Sequence, residues 1–449
     1  MTADVRAAVS PVRVGAVFGA LLVPSFVALG APSVALPSIA RALGVPFGAS
    51  SWVLASWALS TAVAMPFFGR ISTRVGLRVC LMTGVMLICA GSILAALAPS
   101  LVVLIIGRAV GGAGAGALVI SSYASVTVRL QGADRGRALG IVAAVGTTAS
   151  ACGTLFGGLL TAWPGWRVVV ALPALAVLVL IPAARLAPID RRAGARIDPF
   201  GAVLLTLVGG AVVVLLQAPS TGLPITVVLA LVMITAGAAV ALVAHVRHHP
   251  DGFVPKTIVA APYFVAAGVI GLTVFAAYYG TLFAAPALIE SATRWGTPLI
   301  GAALLPCAAF SILGVKLVRT LSQRCSVTVV AVWLGAVSTV GVLIAALLPA
   351  QPVFSVLGLA LTTASFAAGQ TVLFGLIPAM VKPDEQPNAQ GLLDFLIYGG
   401  SSVGPAIVGG LSAGLPLADA LAVAAILPLI AITVALLARR SAPVTHGMT

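Results

Sequence analysis

The sequence predicts an all-α polytopic membrane protein with 14 transmembrane helices, and three observations carry that prediction. Of its 449 residues 61% are hydrophobic and only 8% charged, whereas charged residues make up about a quarter of a soluble domain. Continuous apolar stretches of roughly 20 residues, the length that crosses a bilayer as a helix, recur from near one end to the other. The basic residues sit singly or in short groups between those stretches, so the net charge of +14 labels loops rather than building a surface for nucleic acid.

Apolar runs bounded by charge, Gly, Pro or polar residues place a first series of spans at 14–36, 50–69, 79–98, 101–127, 138–161 and 166–184. A second series falls at 199–217, 223–244, 261–289, 298–318, 327–349, 353–380, 388–413 and 417–438. Lipid offers the backbone no hydrogen-bond partner, so runs of this length without alternation are helices joined by short polar connections. The run 14–36 follows a basic start but is longer than a signal core, and is read as the first helix rather than a cleaved leader.

The basic residues test the count. With a cytoplasmic N-terminus, one side collects Arg6, Arg13, Arg70, Arg74, Arg78, Arg129, Arg135, Arg137, Arg185, Arg191, Arg192 and Arg196. The same side takes Arg247, Lys256, Lys316, Arg319, Arg324, Lys382, Arg439 and Arg440, giving 20 of 24. Arg41, Arg167 and Arg294 fall on the other side, and Arg108 inside a helix. Both termini are therefore expected in the cytoplasm, with the protein in the plasma membrane. The dominance of Arg over Lys and the abundance of Ala, Gly and Val suggest a GC-rich bacterial genome.

Cys80, Cys89, Cys152, Cys307 and Cys325 are odd in number, show no CxxC spacing, and read as small apolar filler. His245, His248 and His249 beside Asp251 read as a solvated connection, so no metal is expected. The glycines from Gly111 to Gly116 form no dinucleotide loop, since no strand precedes them, and no ATP-binding loop exists. No cofactor is expected. No cluster of His, Cys and carboxylates falls at one depth, which disfavours an enzyme.

Several motifs share an order and spacing. Gly69-Arg70-Ile71-Ser72-Thr73-Arg74-Val75-Gly76-Leu77-Arg78 follows the second span; Arg108 with Gly111, Gly112 and Gly114 lies in the fourth; Gly153-Thr154-Leu155-Phe156-Gly157-Gly158 lies in the fifth; Trp166-Arg167 opens the sixth. Arg196-Ile197-Asp198-Pro199-Phe200-Gly201 opens the seventh span, Ala303-Leu304-Leu305-Pro306 lies in the tenth, and Gly391 with Gly400 to Gly404 in the thirteenth. In this order they resemble the signatures of the major facilitator superfamily, and in particular its fourteen-span drug:proton antiporter branch. The resemblance implies the major facilitator fold, with a six-helix bundle over 1–184, a loop and two inserted central helices over 185–260, and a second bundle with a tail over 261–449. It also implies a gating loop at Gly69, Arg70, Arg74, Gly76 and Arg78, and an antiporter-like packing motif at Gly153, Gly157, Gly158, Gly404 and Pro405. The chain departs from the family where acids or a proline are expected, with Ala28 in the first helix, Thr73 in the loop and Thr154 in the fifth helix.

A charge inside the bilayer is costly unless it pairs or faces water, so each such residue is a functional candidate. Asp394 lies about two turns into the thirteenth helix, roughly 10 Å deep; it is either a proton carrier or a capped or Arg-paired carboxyl at the cytoplasmic edge. Glu290, closing the ninth helix, is a second proton-coupling candidate or a solvated rim group. Arg108 cannot lose its proton and needs carbonyls, a carboxylate or an anionic ligand around it, making it a structural cross-link, a partner of Glu290 or a substrate contact. Phe275, Tyr278, Tyr279 and Phe283 line a pocket for a bulky apolar substrate or pack between helices. The pairs Gly107/Gly111, Gly112/Gly116, Gly153/Gly157 and Gly400/Gly404 are each four apart, which lets helices approach closely.

The expected function is a monomeric secondary transporter exporting a small hydrophobic compound, a drug or secondary metabolite, across the plasma membrane by proton antiport. Its partners are that substrate, protons and the lipid bilayer. Two alternatives stand beside it: a facilitator or importer without proton coupling, favoured by Ala28 and Thr73, and a carrier-like protein that senses or assembles without transporting.

Overall fold

A computed structural model describes residues 10–188, 198–249, 252, 254–261, 263–382 and 386–440. Arg6, Arg191, Arg192, Arg196 and Asp251 lie outside them. The described residues form 14 helices long and apolar enough to cross a membrane. The first series comprises α1 (Pro11–Leu43), α2 (Phe47–Val75), α3 (Leu77–Ala96), α4 (Leu101–Arg129), α5 (Gly132–Ala162) and α6 (Trp166–Leu186). The inserted pair is α7 (Pro199–Thr221) and α8 (Ile225–His248). The second series comprises α9 (Phe264–Thr293), α10 (Thr297–Arg324), α11 (Val327–Leu347), α12 (Pro352–Met380), α13 (Gln386–Leu411) and α14 (Leu417–Ala438).

Several helices run past the apolar stretches that announced them. Arg135 and Arg137 lie on the first turns of α5, and Lys316, Arg319 and Arg324 on the last turns of α10. The stretch expected as a gating loop is mostly helical: Gly69, Arg70 and Arg74 belong to the end of α2, and Arg78 to the start of α3. Gly76, at φ 90°, makes the whole turn between them, a conformation that costs a Cβ-bearing residue dearly. A polar run need not be a loop, because a helix leaving the bilayer can carry its charges into water. His245 and His248 likewise sit on the last turns of α8, and His245 pairs with Asp198 at 2.8 Å, so it is not a free loop residue.

Packing repeats between the two series. In the first, α1 lies on α5, and α2 and α3 lie on α4; in the second, α9 lies on α13, and α10 and α11 lie on α12. The halves join through α2 on α13 and through its counterpart, α5 on α10. These two seams differ. Helix α5 meets α10 chiefly along its first segment, Thr297–Ala303, before α10 breaks at Pro306. There Gly158 and Gly301 face each other so closely that a Cβ on Gly301 would stand 2.5 Å from the Thr154 carbonyl oxygen. Van der Waals contact of this kind, rather than exclusion of water, holds helices together in lipid.

The inserted pair packs internally, and α7 docks against α13 and α2. Ser51 donates to the Gln217 side-chain oxygen at 3.0 Å across that contact. Asp198 caps α7, accepting from the Gly201 amide at 2.9 Å, as an N-cap carboxylate should. Helix α8 keeps its apolar side chains outward, with Ile225, Met233 and Val240 all exposed, as a lipid-facing helix does.

Candidate functional site

Between the halves lies a cavity of about 700 Å³. Eight helices line it: α1, α2, α4 and α5 from the first series, and α9, α10, α12 and α13 from the second. One end is marked by Thr127, Arg135, Phe374 and Gln390, near the α4–α5 and α12–α13 connections. Arg135 is exposed there, so this end is the mouth. The other end is closed by the α5–α10 seam, by Phe47 stacked on Phe283 with ring centroids 4.9 Å apart, and by the Arg41–Glu290 ion pair at 2.8 Å. Around Pro306, where α5 and α10 part, the wall opens, and Leu304, Cys307, Ala308 and Ser311 face the space.

Asp394 and Arg135 are the only charged groups among the described lining residues. Asp394 is 6% exposed, and Gln390, one turn earlier on α13, donates to its Oδ1 at 3.0 Å. Tyr398, one turn later, and Tyr123 on α4 in the opposite half line the same cavity. The carboxyl therefore sits between the two series with neutral polar neighbours, an arrangement in which gaining or losing a proton, or a cation, changes the local charge without breaking an ion pair.

The aromatic residues separate into two groups. Tyr278 and Tyr279 line the cavity and gather around Phe366 of α12, with centroid separations of 4.4 Å and 5.8 Å. Phe275 sits behind Phe366 at 4.5 Å and is fully buried, outside the described lining. Phe283 belongs to the closed end through Phe47. Glu290 also stands at the closed end, away from Asp394, and its described partner is Arg41.

Arg108 is 1% exposed. It donates from Nε to the Val53 carbonyl at 2.9 Å and from Nη2 to the Ala28 carbonyl at 2.5 Å, and its guanidinium lies 4.4 Å from the Trp57 ring. The position where the family resemblance expects an acid thus supplies a backbone oxygen instead. These bonds tie α4 to α1 and α2, while Trp57 stands on the cavity wall.

The end of α2 is anchored elsewhere. Arg70 is 9% exposed and donates to the Gly252 carbonyl at 2.6 Å, within the field of Asp198. Thr73 turns its hydroxyl back to the Arg70 carbonyl at 2.7 Å. Gly153 and Gly157 meet Gly30 and Ala31 of α1, Gly158 meets Thr297 across the seam, and Gly404, next to Pro405, meets Ala276 of α9.

Tyr123, Phe366, Gln390 and Tyr398 were not singled out in the sequence. Asp394 could have led to Gln390 and Tyr398, which lie one turn before and after it on the same helix face. Nothing local marks Tyr123 or Phe366, which reach the site from other helices.

Solved structures share this architecture. A bacterial homologue of the human lysosomal transporter Spinster, in an inward-facing unoccupied conformation, matches with a TM-score of 0.65 at 17% identity, covering 96% of this chain and 98% of that one. A POT family transporter in complex with 5-aminolevulinic acid matches with a TM-score of 0.68 at 12% identity, covering 94% of each chain. Among curated proteins, the multidrug resistance protein Stp of Mycobacterium tuberculosis is 30% identical over 283 residues, covering 62% of this chain and 52% of that protein. The puromycin resistance protein pur8 of Streptomyces alboniger is 31% identical over 299 residues, covering 61% of this chain and 59% of that protein. The chain thus spans between half and three fifths of the length of these relatives. The family description Major Facilitator Superfamily matches residues 18–405. With its two packed series of helices, the cavity between them and a family match over most of its length, this chain is a multi-pass membrane protein that belongs to the Major Facilitator Superfamily of transporters.

Proposed function

We propose that the protein exports a small, largely hydrophobic compound from the cytoplasm across the plasma membrane, driven by proton uptake through Asp394. The observation that carries this reading is a cavity whose described lining holds one carboxyl, Asp394, with Arg135 at the mouth and otherwise mainly aromatic, aliphatic, hydroxyl and amide side chains. Such a wall suits a bulky apolar body, and few fixed polar groups give it breadth. The relatives named for multidrug and puromycin resistance support a drug or secondary metabolite as substrate. The excess of basic residues on one face supports cytoplasmic termini, and hence a mouth toward the cytoplasm.

In this reading 1–184 and 261–449 rock against each other while the 185–260 segment rides on the α2–α13 seam. Tyr278 and Tyr279 contact substrate; Phe275 backs them through Phe366. Phe283 and Glu290 close the far end, and Arg108 holds the first half rigid. Proton and substrate alternate at Asp394, because a carboxyl facing the cavity cannot serve both at once.

The test is puromycin transport in proteoliposomes under an imposed pH gradient. Accumulation that follows the gradient in the wild type and is lost in Asp394→Asn is the expected result. Transport indifferent to the gradient, or an unaffected Asp394→Asn variant, overturns the coupling and favours a facilitator.

A further inference from the structure

Helix α5 turns one face to the cavity, where Arg135, Leu139, Ala143, Gly146, Ser150 and Thr154 recur every three or four residues. Thr154 is the last of these, is 7% exposed, and has a buried Oγ1 with no hydrogen-bond partner. A threonine inside a helix can satisfy its hydroxyl on the carbonyl one turn back. Its neighbours on the same helix do so: Thr148 donates to the Ala144 carbonyl at 2.9 Å and Thr161 to the Gly157 carbonyl at 2.6 Å. Thr154, between them, makes no such bond.

Helix α1 presents a second hydroxyl of this kind. Ser25 lines the cavity and its Oγ is buried without a partner, whereas Ser33 on the same helix donates to the Gly30 carbonyl at 2.7 Å. The two helices run side by side in parallel: Gly19 meets Val142 and Val145, and Gly30 meets Ser150 and Thr154. Ser25 therefore lies five residues nearer the mouth than the level of Thr154, about 7 Å at 1.5 Å per residue. Arg135, by contrast, is roughly 28 Å of helix away from Thr154, and Arg108, which reaches the Ala28 carbonyl one turn beyond Ser25, already gives its described hydrogen bonds to backbone carbonyls.

We infer that Thr154 and Ser25 form a hydrogen-bonding subsite toward the closed end of the cavity, which takes an uncharged polar group of the substrate: a carbonyl, hydroxyl or amide. The inference rests on the export reading above and narrows its substrate class to apolar compounds bearing such a group at one end. Buried polar groups left unpaired disfavour a ligand that cannot bond to them, so the subsite rejects otherwise similar compounds that lack the group. Thr154 also stands at the seam, its carbonyl against Gly301, so a ligand held there touches the contact that must separate when the far face opens.

The test measures the rise in melting temperature of the purified full-length protein with two probes. Puromycin carries hydroxyl and amide groups; tetraphenylphosphonium is an apolar cation without any hydrogen-bonding group. In Thr154→Val, and likewise in Ser25→Ala, the apparent affinity for puromycin is expected to fall about tenfold, the equivalent of one hydrogen bond. Thr154→Ser keeps it, and tetraphenylphosphonium stabilises all variants equally. Unchanged puromycin binding in Thr154→Val or Ser25→Ala, equal loss for both probes, loss in Thr154→Ser, or no binding of puromycin by the wild type overturns the subsite. Puromycin efflux is measured separately: its absence with the binding pattern intact overturns the export reading and leaves the subsite standing.

Discussion

Arg41 and Glu290, 249 positions apart in sequence, meet at 2.8 Å across the closed end of the cavity. One closes α1 and the other α9, so the pair spans the two halves. Their side chains are 66% and 23% exposed, and an ion pair so open to water contributes little to stability, about 0–1 kcal/mol. Its consequence is conformational instead, since the bond exists only while the far ends of α1 and α9 stay together.

Replacing either partner by an amide, Arg41→Gln or Glu290→Gln, is expected to shift the protein a few-fold toward the state open at the far face, with under about 1 kcal/mol lost in stability. The swapped pair Arg41→Glu with Glu290→Arg is expected to restore the wild-type balance. Thiol labelling of a cysteine placed at Phe283 reads the shift, and labelling unchanged by all three variants removes the pair from the gate.

Arg108 makes its two described hydrogen bonds to carbonyls on two other helices while its guanidinium lies over Trp57. A lysine has no planar fork to do this. Arg108→Lys is therefore expected to cost about 2 kcal/mol, in the range for hydrogen bonds from a charged group, and to lower the thermal midpoint in detergent. A midpoint equal to wild type contradicts the cross-link.

On α5, two glycines predict opposite outcomes. A side chain at Gly158 meets Thr297 and Gly301 of the other half, whereas Gly140 has open space around its missing Cβ. Gly158→Val is expected to force α5 from α10 and reduce transport more than tenfold. Gly140→Ala is expected to be neutral or to stabilise by about 0.5–1 kcal/mol through helix propensity alone. Equal activity in both variants contradicts the seam.

Asp198 caps α7 through the Gly201 amide and also holds His245 of α8. Asp198→Ala removes both contacts and the negative charge near Arg70. The expected loss is about 1 kcal/mol from the cap, read as faster hydrogen exchange confined to the first turn of α7 and the last turn of α8. Exchange that rises throughout the chain, or nowhere, contradicts a local anchor.

The sequence by itself determined the spans. Fourteen apolar runs became 14 membrane-length helices among the described residues, because in lipid a backbone must satisfy itself segment by segment, and that constraint is local. Helix ends were less legible: the stretches from Gly69 to Arg74 and from Lys316 to Arg324 look like loops but continue helices. Asp394 stood out as a rare acid in an apolar run, and the structure puts it on the cavity wall. The tertiary structure alone decided its company. Tyr123 comes from α4 and Phe366 from α12, neither near the others in sequence, and Arg41 finds Glu290 from across the molecule. It also decided that Arg108 bonds to carbonyls where the missing acid at Ala28 gave no clue to a partner, and that the Thr154 hydroxyl makes no bond to its own helix. Periodicity along one helix fixes which residues share a face, but which face meets which depends on close packing between helices far apart in the chain.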